Sequence, residues 1–152
     1  MSGLEAARDL LAQKRLALVG VARDQKDFTR VVLRELVKRG YDVVPVNPAA
    51  AGAEVDGRRA VARLKDLTPP VDGAIFFTAP GRTAAAVADA LDAGVRRLWF
   101  HRGAGAGASS PEAIAACRAA QVEPITDLCP FMALPDAGWF HRLHTFLRGH
   151  RH

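Results

Sequence analysis

The sequence predicts a doubly wound α/β domain on a mostly parallel sheet of about five to six strands. Three observations carry that expectation. Short apolar runs recur along the chain without alternating polar and apolar residues, as strands do when both faces are covered. Stretches with helical periodicity separate these runs. The first unit, Leu16 to Pro48, reads as strand, loop, helix and strand, with a crossover long enough to join a parallel pair. The order describes a compact Rossmann-type unit.

Leu4, Ala7, Leu10 and Leu11 recur at helical spacing, which predicts a helix over 3–13 that packs on the sheet. Strand one covers 16–21 and runs into Gly20 and a polar loop. A helix follows over Thr29 to Arg39, stopped by Gly40. Val31, Val32, Leu33, Leu36 and Val37 form its apolar stripe, and Arg30, Arg34, Glu35 and Lys38 are expected to turn outward. Strand two covers 42–46 and ends in Asn47-Pro48. Ala49 to Asp56 is a loop, Gly57 to Val61 a short strand and Leu64 to Leu67 a helical turn, with Pro69-Pro70 as punctuation.

Gly73 to Phe77 is the middle strand, closed by Thr78-Ala79-Pro80-Gly81. A helix over 82–93 stops at Gly94. Arg97 to Phe100 is the next strand and His101 to Gly107 a glycine-rich loop. Ser110 caps a helix with Pro111 at its first position, running to about Ala120. Glu123 to Thr126 is the last strand. An amphipathic helix over 136–148 carries Trp139, Leu143, Phe146 and Leu147 on one face, to dock on the sheet or on another subunit as a homodimer.

The 152 residues form one domain by length, with a core over about 10–132. No apolar run approaches the roughly 18 residues of a membrane span. The first fifteen residues contain Glu5 and Asp9 and no cleavage signal, so a cytoplasmic protein is expected. Cys117 and Cys129 are expected to be free thiols. The net charge of +5 is spread along the chain without a basic run, which argues against nucleic acid as the partner and leaves room for a small polyanion.

In doubly wound sheets ligands bind beyond the carboxyl ends of the strands, at the point where strand order reverses. Five loops reach that edge: Gly20 to Asp24, Asn47-Pro48, Thr78 to Gly81, His101 to Gly103 and Asp127 to Pro130. The first loop leads into a helix N-terminus, where free amides and the dipole suit a phosphate. It is not a full dinucleotide fingerprint, since Ala22 and Gln25 stand where glycines would be. A nicotinamide cofactor favours an acidic residue after strand two, and Asn47-Pro48 occupies that place. No nucleophile elbow, P-loop lysine or paired carboxylates are recognisable, so no catalytic residue is assigned. His141 and His144 share a helix face, yet no third metal ligand accompanies them.

The runs L-V-G-V-A-R-D, V-P-V-N-P, F-F-T-A-P, L-W-F-H-R-G and D-L-C-P occur in this order. Together they resemble the small stand-alone CoA-binding domain proteins, relatives of the N-terminal domain of the succinyl-CoA synthetase alpha subunit. The resemblance covers about residues 10–132. It implies coenzyme A or an acyl-CoA as ligand, and a phosphate-binding first loop at Gly20, Ala22 and Arg23, to which the neighbouring Val21 and Lys26 are added. It implies a turn after strand two at Asn47 and Pro48, and an adenosine-side loop at Thr78 and Pro80, to which the intervening Ala79 is added. The family often carries a basic residue after the Asn-Pro pair; Ala49 stands there, and Arg23, Lys26 or Arg58 is expected to replace it. Cys129, at a strand's carboxyl end, is either a small buried residue or a thiol facing the pantetheine end. The succinyl-CoA synthetase reaction needs a phosphorylated histidine from a second domain, which this chain lacks, so binding without catalysis is expected. Two rivals remain: an NAD(P)-binding oxidoreductase or redox sensor, with Arg58 and Arg59 near Asn47 taking a 2′-phosphate, and an interaction module using the C-terminal aromatic stripe.

Overall fold

The computed structural model describes residues 2–101 and 107–128. The expected C-terminal helix, Arg102 and Cys129 lie outside the described residues. The described chain opens with α1 (Gly3–Leu11), β1 (Arg15–Val19), α2 (Phe28–Lys38) and β2 (Asp42–Val46). A small hairpin follows, β3 (Glu54–Val55) and β4 (Arg58–Arg59). Then come β5 (Gly73–Phe76), α3 (Pro80–Asp92), β6 (Leu98–Phe100) and α4 (Pro111–Ala119).

The main sheet is parallel with order β2-β1-β5-β6. The chain moves outward from β1 to β2 and then returns to β5 on the other side of β1. The reversal therefore falls between β1 and β5, the place where such sheets bind ligands. Among the described residues four strands form this sheet, fewer than the five to six expected. The two segments read as further strands touch its edges through one bridge each, Val46 with Val61 and Trp99 with Ile125. Beyond β6, Ile125 makes both ladder bonds, and two residues later Asp127 turns the backbone into the left-handed region at φ 61°, out of strand geometry. Residues 54–59 fold on themselves as an antiparallel hairpin instead of joining the sheet along their length.

Two apolar layers cover the sheet. On one face Leu16, Leu18 and Ile75 pack with Leu10 of α1 and Leu33 and Leu36 of α2. On the other, Ala74, Phe76 and Leu98 pack with Val87 of α3 and Cys117 of α4. The helices end as their sequences dictate. Ser2 and Glu5 form a reciprocal capping box on α1, Asp27 caps α2, and Ser110 caps α4 with Pro111 behind it. Two expectations for α2 fail. Glu35 is largely covered, with its side chain 11% exposed and paired with Arg39. Arg30 does not turn outward; its side chain is 6% exposed, because Asp56 meets it from the hairpin. No helix among the described residues is long and apolar enough to cross a membrane.

Candidate functional site

The site grows from Gly20. At φ +94° it holds a conformation that disfavours a side chain, and a Cβ there would lie 3.2 Å from the Phe77 carbonyl carbon and the Thr78 nitrogen. Glycine thus lets the ends of β1 and β5 approach. The Gly20 amide donates to Val46 O at 2.8 Å and the Phe77 amide to Val19 O at 2.8 Å, so three strand ends are fixed side by side.

The β1 loop and the turn after β2 are joined by side chains. Asn47 Nδ2 donates to Val21 O at 2.8 Å, and its Oδ1 accepts the Ala49 amide at 2.9 Å. The Arg23 Nη2 donates to Ala49 O at 2.6 Å. An exposed cation therefore stands at the Pro48 turn, although Ala49 itself carries no charge.

Beside these loops opens a cleft of about 760 Å³. Gly20, Asn47, Pro48, Thr78 and Ala79 line it, as does the first part of α3. Arg63 and Arg82 line it too, and sequence reasoning missed both. Arg82 had a signal: it sits in the first turn of the helix that follows a strand's carboxyl end. Arg63 had none, because it belongs to an aperiodic connection. The N-terminus of α3 has no side-chain cap and no acidic residue in its first turn, so its positive end is not neutralised locally. Thr78 Oγ1 lies 2.6 Å from Thr83 Oγ1, and the Thr83 hydroxyl is also within reach of Ala79 O at 3.2 Å, which fixes the entry to that helix.

The N-terminus of α2 differs from the expected bare amides. Asp27 Oδ1 accepts the Thr29 amide at 2.8 Å, and Thr29 Oγ1 accepts the Ala22 amide at 2.9 Å. A carboxylate already occupies the helix end. Unengaged amides are found earlier in the loop: among the described residues, Arg23 N–H and Asp24 N–H have no acceptor. Val21, Ala22, Arg23 and Lys26 thus lie on the loop that borders the cleft without lining it, and Pro80 opens α3 at its first position.

His101 follows β6 at the same edge. Its ring stacks on Phe28 with centroids 5.4 Å apart and lies 4.8 Å from the Phe77 ring. Burial lowers its pKa to about 4, so the imidazole is neutral at pH 7. Arg58 is not at this edge. It donates to Asp42 Oδ1 at 3.1 Å, at the opposite end of β2 from Asn47. No group of three or more His, Cys, Asp or Glu suited to a metal ion occurs among the described residues.

Comparison with known proteins agrees with this architecture. The model of a family described as a CoA binding domain matches residues 14–135. An uncharacterised Bacillus subtilis protein, YneT, is 27% identical over 102 residues, covering 67% of this chain and 74% of that protein. A hypothetical protein from Pyrococcus horikoshii superposes with a TM-score of 0.75 at 25% identity, over 88% of this chain and 89% of that one. A Thermus thermophilus protein does so with a TM-score of 0.76 at 29% identity, over 94% and 99%.

Proposed function

The chain belongs to the CoA-binding domain family, and on that premise we propose that it binds coenzyme A or an acyl-CoA, without a reaction of its own. The observation that carries the reading is the cleft at the β1–β5 switch point of a chain whose family match spans residues 14–135. The diphosphate is placed past Gly20, against the Arg23 and Asp24 amides, with Lys26 exposed on the same loop. The adenosine is placed in the cleft between Asn47-Pro48 and Thr78-Ala79.

Charge supports this placement. Arg23 brings a guanidinium to the carbonyl of Ala49, the position where the family often carries a basic residue. Arg63 and Arg82 add two cations around the cleft. A polyphosphate ligand suits such a rim, and salt weakens its long-range part. The nicotinamide alternative loses support, because Arg58 is held by Asp42 away from Asn47.

A thermal-shift panel tests the reading. A ligand at a hundredfold excess over its Kd stabilises the folded state by about 2.7 kcal/mol. CoA and acetyl-CoA are expected to raise the midpoint, and NAD and NADP to leave it unchanged. Stabilisation by a nicotinamide cofactor and not by CoA overturns the proposal.

A further inference from the structure

Arg30 is an unusual residue to find inside a small domain. Its side chain is 6% exposed on the first turns of α2. A buried guanidinium is costly unless its donors and charge are met. Asp56 meets the charge: its Oδ2 accepts Arg30 Nε at 2.7 Å, and that bond holds the Asp56 carboxyl below its ordinary pKa. Asp56 itself sits at φ 48° in the turn between β3 and β4. The other side of the guanidinium faces the β1 loop. Arg30 Nη1 donates to Arg23 O at 2.9 Å and lies 3.5 Å from Ala22 O.

Those two contacts fix two peptide planes. In a trans peptide the C=O of one residue and the N–H of the next point in opposite directions. With the Ala22 and Arg23 carbonyls turned toward Arg30, the N–H groups of Arg23 and Asp24 turn away from it. Both amides have no acceptor among the described residues, as is also true of Val21 and Gln25 on the same loop. Successive outward amides of this kind form an anion-binding concavity.

We propose that Arg30 is a positioning residue for the ligand loop: locked by Asp56, it draws in the Ala22 and Arg23 carbonyls and so presents the Arg23 and Asp24 amides as a preformed pair for an anionic group. The proposal rests on the CoA reading for the identity of that anion, a diphosphate. It makes the β3–β4 hairpin part of the binding apparatus without touching ligand. Lysine does not replace arginine here, because a single ammonium lacks the planar fork that spans a carboxylate and two carbonyls.

Arg30→Lys and Asp56→Asn separate this role from general stability. Backbone order parameters from 15N relaxation are measured on the unliganded protein, and CoA affinity by calorimetry. Arg23 and Asp24 are expected near the rigid value of about 0.85 in the wild type and below about 0.6 in both variants. Leu18 and Val44 should be unchanged, and CoA affinity should fall about tenfold or more. Should Arg30→Lys fail to fold, Asp56→Asn, which keeps the side chain's shape, carries the test. An ordered loop in a folded variant, or unaltered CoA affinity, overturns the proposal. If the wild type does not bind CoA, the functional reading falls, while the order parameters alone still decide whether Arg30 sets the loop.

Discussion

Asn47 Nδ2 donates to the carbonyl of Val21 at 2.8 Å, so the turn after β2 is fastened to the loop after β1. The same side chain accepts the Ala49 amide through Oδ1. Both ends of the carboxamide are engaged within the protein. Asn47 therefore shapes the site more than it reaches for ligand. Asn47→Asp keeps the acceptor for Ala49 and turns an acceptor toward Val21 O, where a donor stood. Leaving that carbonyl unpaired costs about 1–3 kcal/mol. A lower unfolding midpoint and weaker CoA binding are expected, with no gain for NAD. Tight NAD binding by this variant would show that the strand-two turn reads a nicotinamide cofactor after all.

Gly20→Ala and Gly40→Ala form a matched pair. Both glycines have φ +94°, so each substitution meets left-handed strain of roughly 1–2 kcal/mol. At Gly40 nothing lies within 4 Å of the added Cβ; at Gly20 the backbone of Phe77 and Thr78 lies 3.2 Å away. Main chain cannot swing aside as a side chain does. Gly20→Ala is expected to lower the midpoint further than Gly40→Ala, and only Gly20→Ala is expected to weaken CoA binding. Equal losses in both measurements would mean that the close approach of β1 and β5 is immaterial to the site.

The β1–α2–β2 unit was legible because its signals are local. A run of apolar residues ends at a glycine, a helical stripe follows, and Asn47-Pro48 closes the second strand. What escaped depends on residues far apart in sequence. A helical wheel puts Arg30 outside, and only Asp56, brought back by the hairpin, makes its burial tolerable. The expected outer strands reduced to single bridges because Asp127 leaves strand geometry just after Ile125 and residues 54–59 pair with themselves. Asp27 was a missed local signal, since Asp two residues before Thr29 is a familiar helix start. Arg63 reaches the cleft by a connection without periodicity, and no local rule would have placed it there.

His101 gives the stability a pH dependence with a defined sign. Its folded pKa lies at about 4, against 6.5 for the free side chain. Between those values the unfolded chain binds a proton that the folded chain does not, so stability falls as pH falls. Each unit of separation corresponds to about 1.4 kcal/mol. The contribution vanishes above about pH 6.5 and levels off below about pH 4. His101→Phe retains ring contact with Phe28 and Phe77 and removes the titration. Its unfolding midpoint should vary less between pH 6.5 and 4 than that of the wild type. Parallel pH profiles would assign the acid sensitivity to other groups.

Thr29 links the helix cap to the loop. Its Oγ1 accepts the Ala22 amide at 2.9 Å and donates to Asp27 Oδ1 at 2.7 Å. The residue is 7% exposed, so water cannot readily replace either bond. Thr29→Val keeps the shape and removes the hydroxyl, stranding the Ala22 N–H at a cost of about 1–3 kcal/mol. Thr29→Ser keeps the hydroxyl and deletes one methyl, at about 1 kcal/mol. If the hydroxyl anchors the loop, CoA affinity follows it: valine weakens binding and serine preserves it, whatever their order in stability. If valine and serine bind CoA alike, the anchor between Ala22 and α2 does not reach the ligand, and the bonds from Arg30 and Asn47 would have to hold the loop.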